Sequence, residues 1–103
     1  MGTGSEHFDV VLTVEAVGDL RLFEKPFRQP IMREIEEQLL HEPMQETRSR
    51  KRLRPNHLAE WELRVGEFRV FYDVLADSQE VKVSAVGRKA GNRLFVRGKE
   101  STL

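Results

Sequence analysis

The chain predicts an α+β fold: a small, mainly antiparallel four-strand sheet with one or two N-terminal helices packed on one face. Three observations carry this. From Trp61 to Gly87, three runs alternate apolar and polar residues and are separated by two turn signals, which reads as an antiparallel meander of half-buried strands. Upstream, Leu20, Phe23, Phe27, Ile31, Ile35 and Leu39 recur every three or four residues, the stripe of a helix that covers a sheet. Near the start, Phe8, Val10, Leu12 and Val14 alternate with Asp9, Thr13 and Glu15, so residues 7–15 predict a fourth strand.

In chain order, Gly18 breaks the first strand run and Asp19 is placed to cap a helix beginning at Leu20. Pro26 and Pro30 split the helical stripe into a short first helix and a second that starts near one of the prolines, because proline is tolerated only in a first turn. Pro43 requires that helix to end by Glu42. Residues 44–56 have no period and carry a run of basic residues, so they read as a loop. In the meander, Gly66-Glu67 is a two-residue loop with glycine first, as a type II′ hairpin needs. The register follows: Val65 faces Phe68, Leu63 faces Val70, Trp61 faces Tyr72, and Arg64 faces Arg69. A second turn at Asp77-Ser78 sets Val74 opposite Val81, Tyr72 opposite Val83 and Asp73 opposite Lys82, with Val81, Val83 and Ala85 on the core side. Like charges directly opposite cost roughly 0.2–1 kcal/mol, so the arginine pair calls for an anion or an acidic partner across it. Phe71 then lies on the wet face beside Arg69, as a stacking surface for a base, a plug for a partner chain, or a ring that a helix or tail covers. Residues after Gly87 add a short strand or an arm.

At 103 residues the chain is one domain with one core, expected over 7–98, with residues 1–6 a disordered or expression-derived start and 99–103 a tail. It has no cysteine, which excludes disulfides and thiolate metal sites and fits a cytoplasmic location. No apolar run approaches the roughly 20 residues that cross a bilayer, so no membrane partner is expected. The net charge is zero, yet the charges are segregated. Glu34, Glu36 and Glu37 cluster, while Arg48, Arg50, Lys51, Arg52 and Arg54 form one basic run and Arg88, Lys89, Arg93, Arg97 and Lys99 another. There is no phosphate-binding glycine loop and no Ser-His-Asp spacing. The three histidines are too scattered for a metal site, so neither metal nor cofactor is expected. His57, just before the first meander strand, is a candidate acid or base, although a surface histidine is the plainer reading.

The stretch WELRVGEFRVFYD at residues 61–73, followed by VSAVGRK at residues 83–89, resembles the RelE/ParE superfamily of toxins from bacterial type II toxin–antitoxin modules, and the likeness extends over roughly residues 20–98. That resemblance implies a β-α-(α)-β-β-β fold and a cognate antitoxin as partner. RelE-like members cut messenger RNA on the ribosome without a metal, by turning the ribose 2′-hydroxyl onto the adjacent phosphate. Such chemistry needs a base, a cation for the crowded phosphate oxygens and an acid for the leaving oxygen. On this resemblance Arg69 contacts the scissile phosphate, Lys89 is a second functional cation and Glu62 serves as acid or base. Arg64, Arg88, Arg50, Lys51, Arg52, Arg54 and Phe71 are the expected RNA- or phosphate-binding residues, the plainer reading of the two basic runs being solvated surface loops. The chain departs from RelE at two places: Glu60 and Glu62 stand where lysines are expected, and Phe95 stands nearest the C-terminal tyrosine. The alternative is a ParE-like, non-enzymatic inhibitor of DNA gyrase, or a member that only binds antitoxin.

Overall fold

The alternation of residues 61–75 sets the sheet. In a computed structural model, which describes residues 7–103, β3 (Trp61–Val65) and β4 (Phe68–Leu75) pair antiparallel with Trp61 opposite Tyr72, Leu63 opposite Val70, Arg64 opposite Arg69 and Val65 opposite Phe68. Gly66 takes a φ of 58°, and Glu67 does not take a positive φ, as a type II′ turn demands. The start expected over residues 1–6 lies outside the described residues. β5 (Glu80–Ala90) continues the meander, with Asp73 opposite Lys82 and Val74 opposite Val81.

β4 and β5 then slip by one residue. Tyr72 lies opposite Val83 but Phe71 lies opposite Ala85, leaving Ser84 as a bulge. The slip inverts the faces of the rest of β5. Val81, Val83 and Val86 enter the main core with Trp61, Leu63, Val70 and Tyr72, while Ala85, expected beside Val83, packs on the opposite face.

Thr13, rather than Asp19, starts the first helix. β1 (Asp9–Leu12) runs parallel to β5, and the Thr13 side chain accepts a hydrogen bond from the Ala16 N–H at the start of α1 (Val14–Leu22). Gly18 and Asp19 therefore lie inside α1. α2 (Lys25–Leu39) places Pro26 in its first turn and carries Pro30 one turn later. Its Ile31, Ile35 and Leu39 are fully buried against the sheet. The Tyr72 phenol, pushed above its usual pKa by burial, donates to the Pro43 carbonyl at 2.7 Å and ties the chain after α2 to the sheet.

Residues 44–56 are not all loop. Arg50–Arg52 forms β2 on β3, a strand hidden in the sequence because neither of its faces is apolar. Beyond β5, β6 (Arg93–Val96) and β7 (Lys99–Ser101) add a further hairpin, taken partly from the expected tail. The described residues thus form a seven-stranded sheet, ordered β2-β3-β4-β5-β6-β7 with β1 also on β5, in place of four strands. No helix among them is long and apolar enough to cross a membrane.

Asp19 is buried and holds this arrangement from within. Its carboxylate accepts from the Val86 N–H at 3.0 Å, just past the bulge, and pairs with the Arg97 Nε at 3.0 Å. Burial raises its pKa, and the Val86 bond and Arg97 offset this only in part. A carboxyl with a raised folded-state pKa adds stability that is complete below the unfolded value and is lost as pH climbs through the folded value. The stability of wild type relative to Asp19→Asn should therefore rise as pH falls from about 7 to 4. Urea denaturation across that range checks it, and a difference that stays flat would refute it. A second prediction concerns Gly87, where an added Cβ would come within 2.8 Å of the Phe95 carbonyl oxygen and 2.9 Å of a Val96 methyl. Gly87→Ala should cost about 1–3 kcal/mol, read from the same denaturation curves.

Candidate functional site: the charged face of the sheet

The face turned away from the helices is where the second alternation phase of each strand emerges. Pairing brings Lys51 opposite Glu62, Arg64 opposite Arg69, Arg69 opposite Gly87 and Lys89 opposite Leu94, so these five charged side chains share this face, with the Asp73–Lys82 pair further along it. Three of them form one cluster. The Glu62 carboxylate accepts from Arg64 Nε at 3.2 Å and stands 3.8 Å from Arg69 Nε. The anion that the facing arginines require is thus supplied by the chain itself.

Arg69 is further held by its own hairpin, because Nη1 donates to the carbonyls of Gly66 and Phe68, each at 2.8 Å. Its side chain is only 15% exposed, against 46% for Arg64, and burial lowers its pKa while Glu62 pulls it back up. An arginine keeps its proton under such a shift, so the site holds a fixed, half-buried cation with a carboxylate beside it. Lys89 stands close by. It lines a cavity of about 330 Å³ with Glu62, Asn92, Leu94, Glu100 and Leu103.

The other expected binding residues are dispersed. Arg50 is buried and points to the helix side, where Nη1 donates to the Gln38 carbonyl at 2.6 Å and Nε to the Gln45 carbonyl at 3.0 Å. It caps the C-terminal end of α2 and is closed to a ligand. Arg88, the neighbour of Lys89, faces the helices because of the bulge. Its guanidinium pairs with Glu67 and lies 5.4 Å from the Phe27 ring centre and 5.2 Å from that of Phe68. Arg52 covers Trp61 at 5.9 Å. Lys51 and Arg54 are exposed, and with Arg52, Leu53 and Leu103 they line a cleft of about 340 Å³.

Phe71, expected on the wet face, has no exposed surface at all. It centres a second apolar cluster with Ala59, Ala85, Leu94 and Val96, flanked by Leu53 and Leu58. The loop over residues 53–60 closes this cluster. Asn56 builds the loop, accepting from the N–H groups of Leu58 and Ala59 at 2.7 and 3.0 Å and donating to the carbonyls of Arg54 and Ala59 at 2.7 and 2.8 Å. Phe71 therefore offers no ring to a base, and the Pro55-Asn56 turn signal marks the loop that covers it. Glu60 and His57 are exposed on that loop, outside the cluster. Phe95 lies opposite Arg88 in the register, on the helix side of the sheet and away from Glu62. Asn92 and Glu100, which wall the cavity, carried no signal in the sequence. No group of His, Asp or Glu side chains among the described residues could hold a metal ion.

A family model described as ParE toxin of type II toxin-antitoxin system, parDE, matches residues 10–93. The chain belongs to that family, within the RelE/ParE superfamily of type II toxins. Its fold is also similar to a chain in the crystal structure of the toxin–antitoxin complex RelBE2 from Mycobacterium tuberculosis, with a TM-score of 0.71 and 22% identity over 82% of this chain and 94% of that one. No curated protein sequence matches.

If Glu62 is the counter-charge of the two arginines, Glu62→Gln should destabilise this ParE-family domain by about 1–3 kcal/mol, the cost of leaving buried charge unpaired. Adding Arg64→Gln should restore part of that loss by removing the like charge opposite Arg69. Chemical denaturation of the single and double variants tests this, and additive losses would show that the three side chains are not coupled.

Proposed function

We propose that this toxin acts by binding a protein target, DNA gyrase, rather than by cutting RNA, and that a cognate antitoxin neutralises it by covering the charged sheet face. The observation that carries this reading is the state of Arg69. Both hairpin bonds fall on Nη1, and the Glu62 carboxylate stands 3.8 Å from Nε, so the charge of this guanidinium is already balanced within the chain before any phosphate arrives. The other requirements of 2′-hydroxyl attack are also poorly met. Phe95 cannot donate a proton and lies on the far side of the sheet, and Phe71 is buried. The ParE family model, matched over residues 10–93, points the same way. The exposed cations Lys51, Arg54 and Arg64, around a half-buried Lys89, suit an acidic partner surface. Gyrase as target and an antitoxin as partner would place the protein in the cytoplasm.

A second reading, a ribosome-dependent mRNA endoribonuclease, draws on one observation. Glu62 and Lys89 line the same cavity, with Arg69 beside Glu62, so a carboxylate and two cations stand together on one face.

Inducible expression of wild type and Arg69→Ala in a bacterial host, with RNA 5′ ends mapped and purified gyrase assayed for supercoiling, separates the two. Growth arrest with intact messages and inhibited supercoiling is the expected outcome. Cuts confined to translated regions that disappear in Arg69→Ala would overturn the binding reading and establish the nuclease.

A further inference from the structure

Among the described residues, the sheet leaves one edge both open and apolar. β4 pairs along one side of β5, so β1 and β6 lie end to end along the other side. Asp9 and Thr13 donate backbone N–H groups to Gln79 and Val83 of the β5 segment. The pattern of a parallel pair then turns the N–H and C=O groups of Val10 and Leu12 outward, whereas the next outward group, the Phe8 N–H, is taken by the Leu40 carbonyl at 2.9 Å, so the open stretch runs from Val10 to Leu12. Val11 between them is 45% exposed.

The other two edges are closed by different means. On β2, Arg50 exchanges hydrogen bonds with Thr47, its N–H going to Thr47 Oγ1 at 3.1 Å and its carbonyl accepting the Thr47 N–H at 2.9 Å. The Arg52 N–H is taken by the Glu46 carboxylate at 3.1 Å. β7 is a Lys-Glu-Ser strand, and a two-fold pairing about its middle residue would set Glu100 against Glu100.

We propose that two copies of this chain join through β1, antiparallel about a two-fold axis at Val11. In that register Val10 faces Leu12 of the second copy and Leu12 faces its Val10, each exchanging both outward hydrogen bonds. Val11 packs on Val11, Asp9 lies opposite Thr13, and no like charges meet. The topology admits it. The partner strand falls in line with β7, and the two-fold carries the second copy's own β6–β7 hairpin to the opposite end, so two seven-stranded sheets become one continuous sheet. The inference is independent of whether the toxin cuts RNA or binds gyrase.

The chain has no cysteine, so a single Val11→Cys is a clean probe, and a non-hydrogen-bonded pair has the Cα separation that a disulfide accepts. In mild oxidant, purified full-length Val11→Cys should form a covalent dimer at least tenfold faster than Leu75→Cys, whose site is 42% exposed at the end of β4. By sedimentation, wild type at micromolar concentration should have twice the 12.0 kDa chain mass, and Val11→Lys, with lysines forced together, should be a folded monomer by circular dichroism. Wild type that stays monomeric, or cross-linking no faster than the Leu75 control, overturns the proposal. A Val11 edge that becomes protected only in complex with a partner's extended segment overturns it as well.

Discussion

One inserted residue, Ser84, governs which side chains meet on each face of the sheet. Had β5 kept strict alternation from Val81, Lys89 would have faced the helices and Arg88 would have joined Glu62 and Arg69. The bulge reverses this and sends Arg88 over the Phe27 and Phe68 rings. Three elements hold the bulge. Thr13 donates its N–H to the Val83 carbonyl, Asp19 takes the Val86 N–H, and Arg97 donates to the Ser84 carbonyl at 3.0 Å while pairing with Asp19. The start of α1, its buried middle and the β6–β7 turn thus converge on one irregularity, and the composition of the charged face depends on it.

That face is more self-satisfied than a list of its cations suggests. A run of basic residues in a strand is split by alternation into two populations with different roles. Arg50 turns inward, where a guanidinium's several donors can satisfy the open carbonyls at the end of α2. Lys51 turns outward and is exposed. Likewise Arg69 is neutralised within the chain, whereas Arg64 on the opposite strand stays half exposed. Counting charges in the sequence therefore overstates the field available to a phosphate backbone and understates how much of it stabilises the fold.

The parts that could be read from the sequence were those fixed by short-range geometry. Gly66 with its flanking alternation gives the register of β3 and β4 residue by residue, because one hairpin type and one apolar face leave no freedom. The parts that could not be read depend on contacts distant in the chain. Ser84 is an unremarkable polar residue in an alternating run, and Thr13, Asp19 and Arg97, brought in from the start of α1, its middle and the last hairpin, hold it as a bulge. β2 shows no period because its inward Arg50 and outward Lys51 are both basic. Phe71 reads as exposed because its cover, Leu53, Leu58, Leu94 and Val96, comes from segments on both sides of the meander. Those apolar residues outside the predicted elements were the available signal, since four of them need somewhere to be buried.

The second apolar cluster also explains how a sheet with a charged face can be stable in so short a chain. A 103-residue domain has little surface burial to spare, and a sheet covered on one side only would leave the outer half of each strand wet. Folding the 53–60 loop and β6 over Phe71 creates a small second core on the outer face. The charged residues lie directly beside it, with Glu62 opposite Phe71 and Lys89 opposite Leu94. The same packing that buries Phe71 shields Glu62 and Arg69 from water, which strengthens their attraction and makes the carboxylate a required member of the cluster. A face built this way presents an ordered pattern of charge, because its side chains are fixed by packing and by bonds within the chain before anything docks on it.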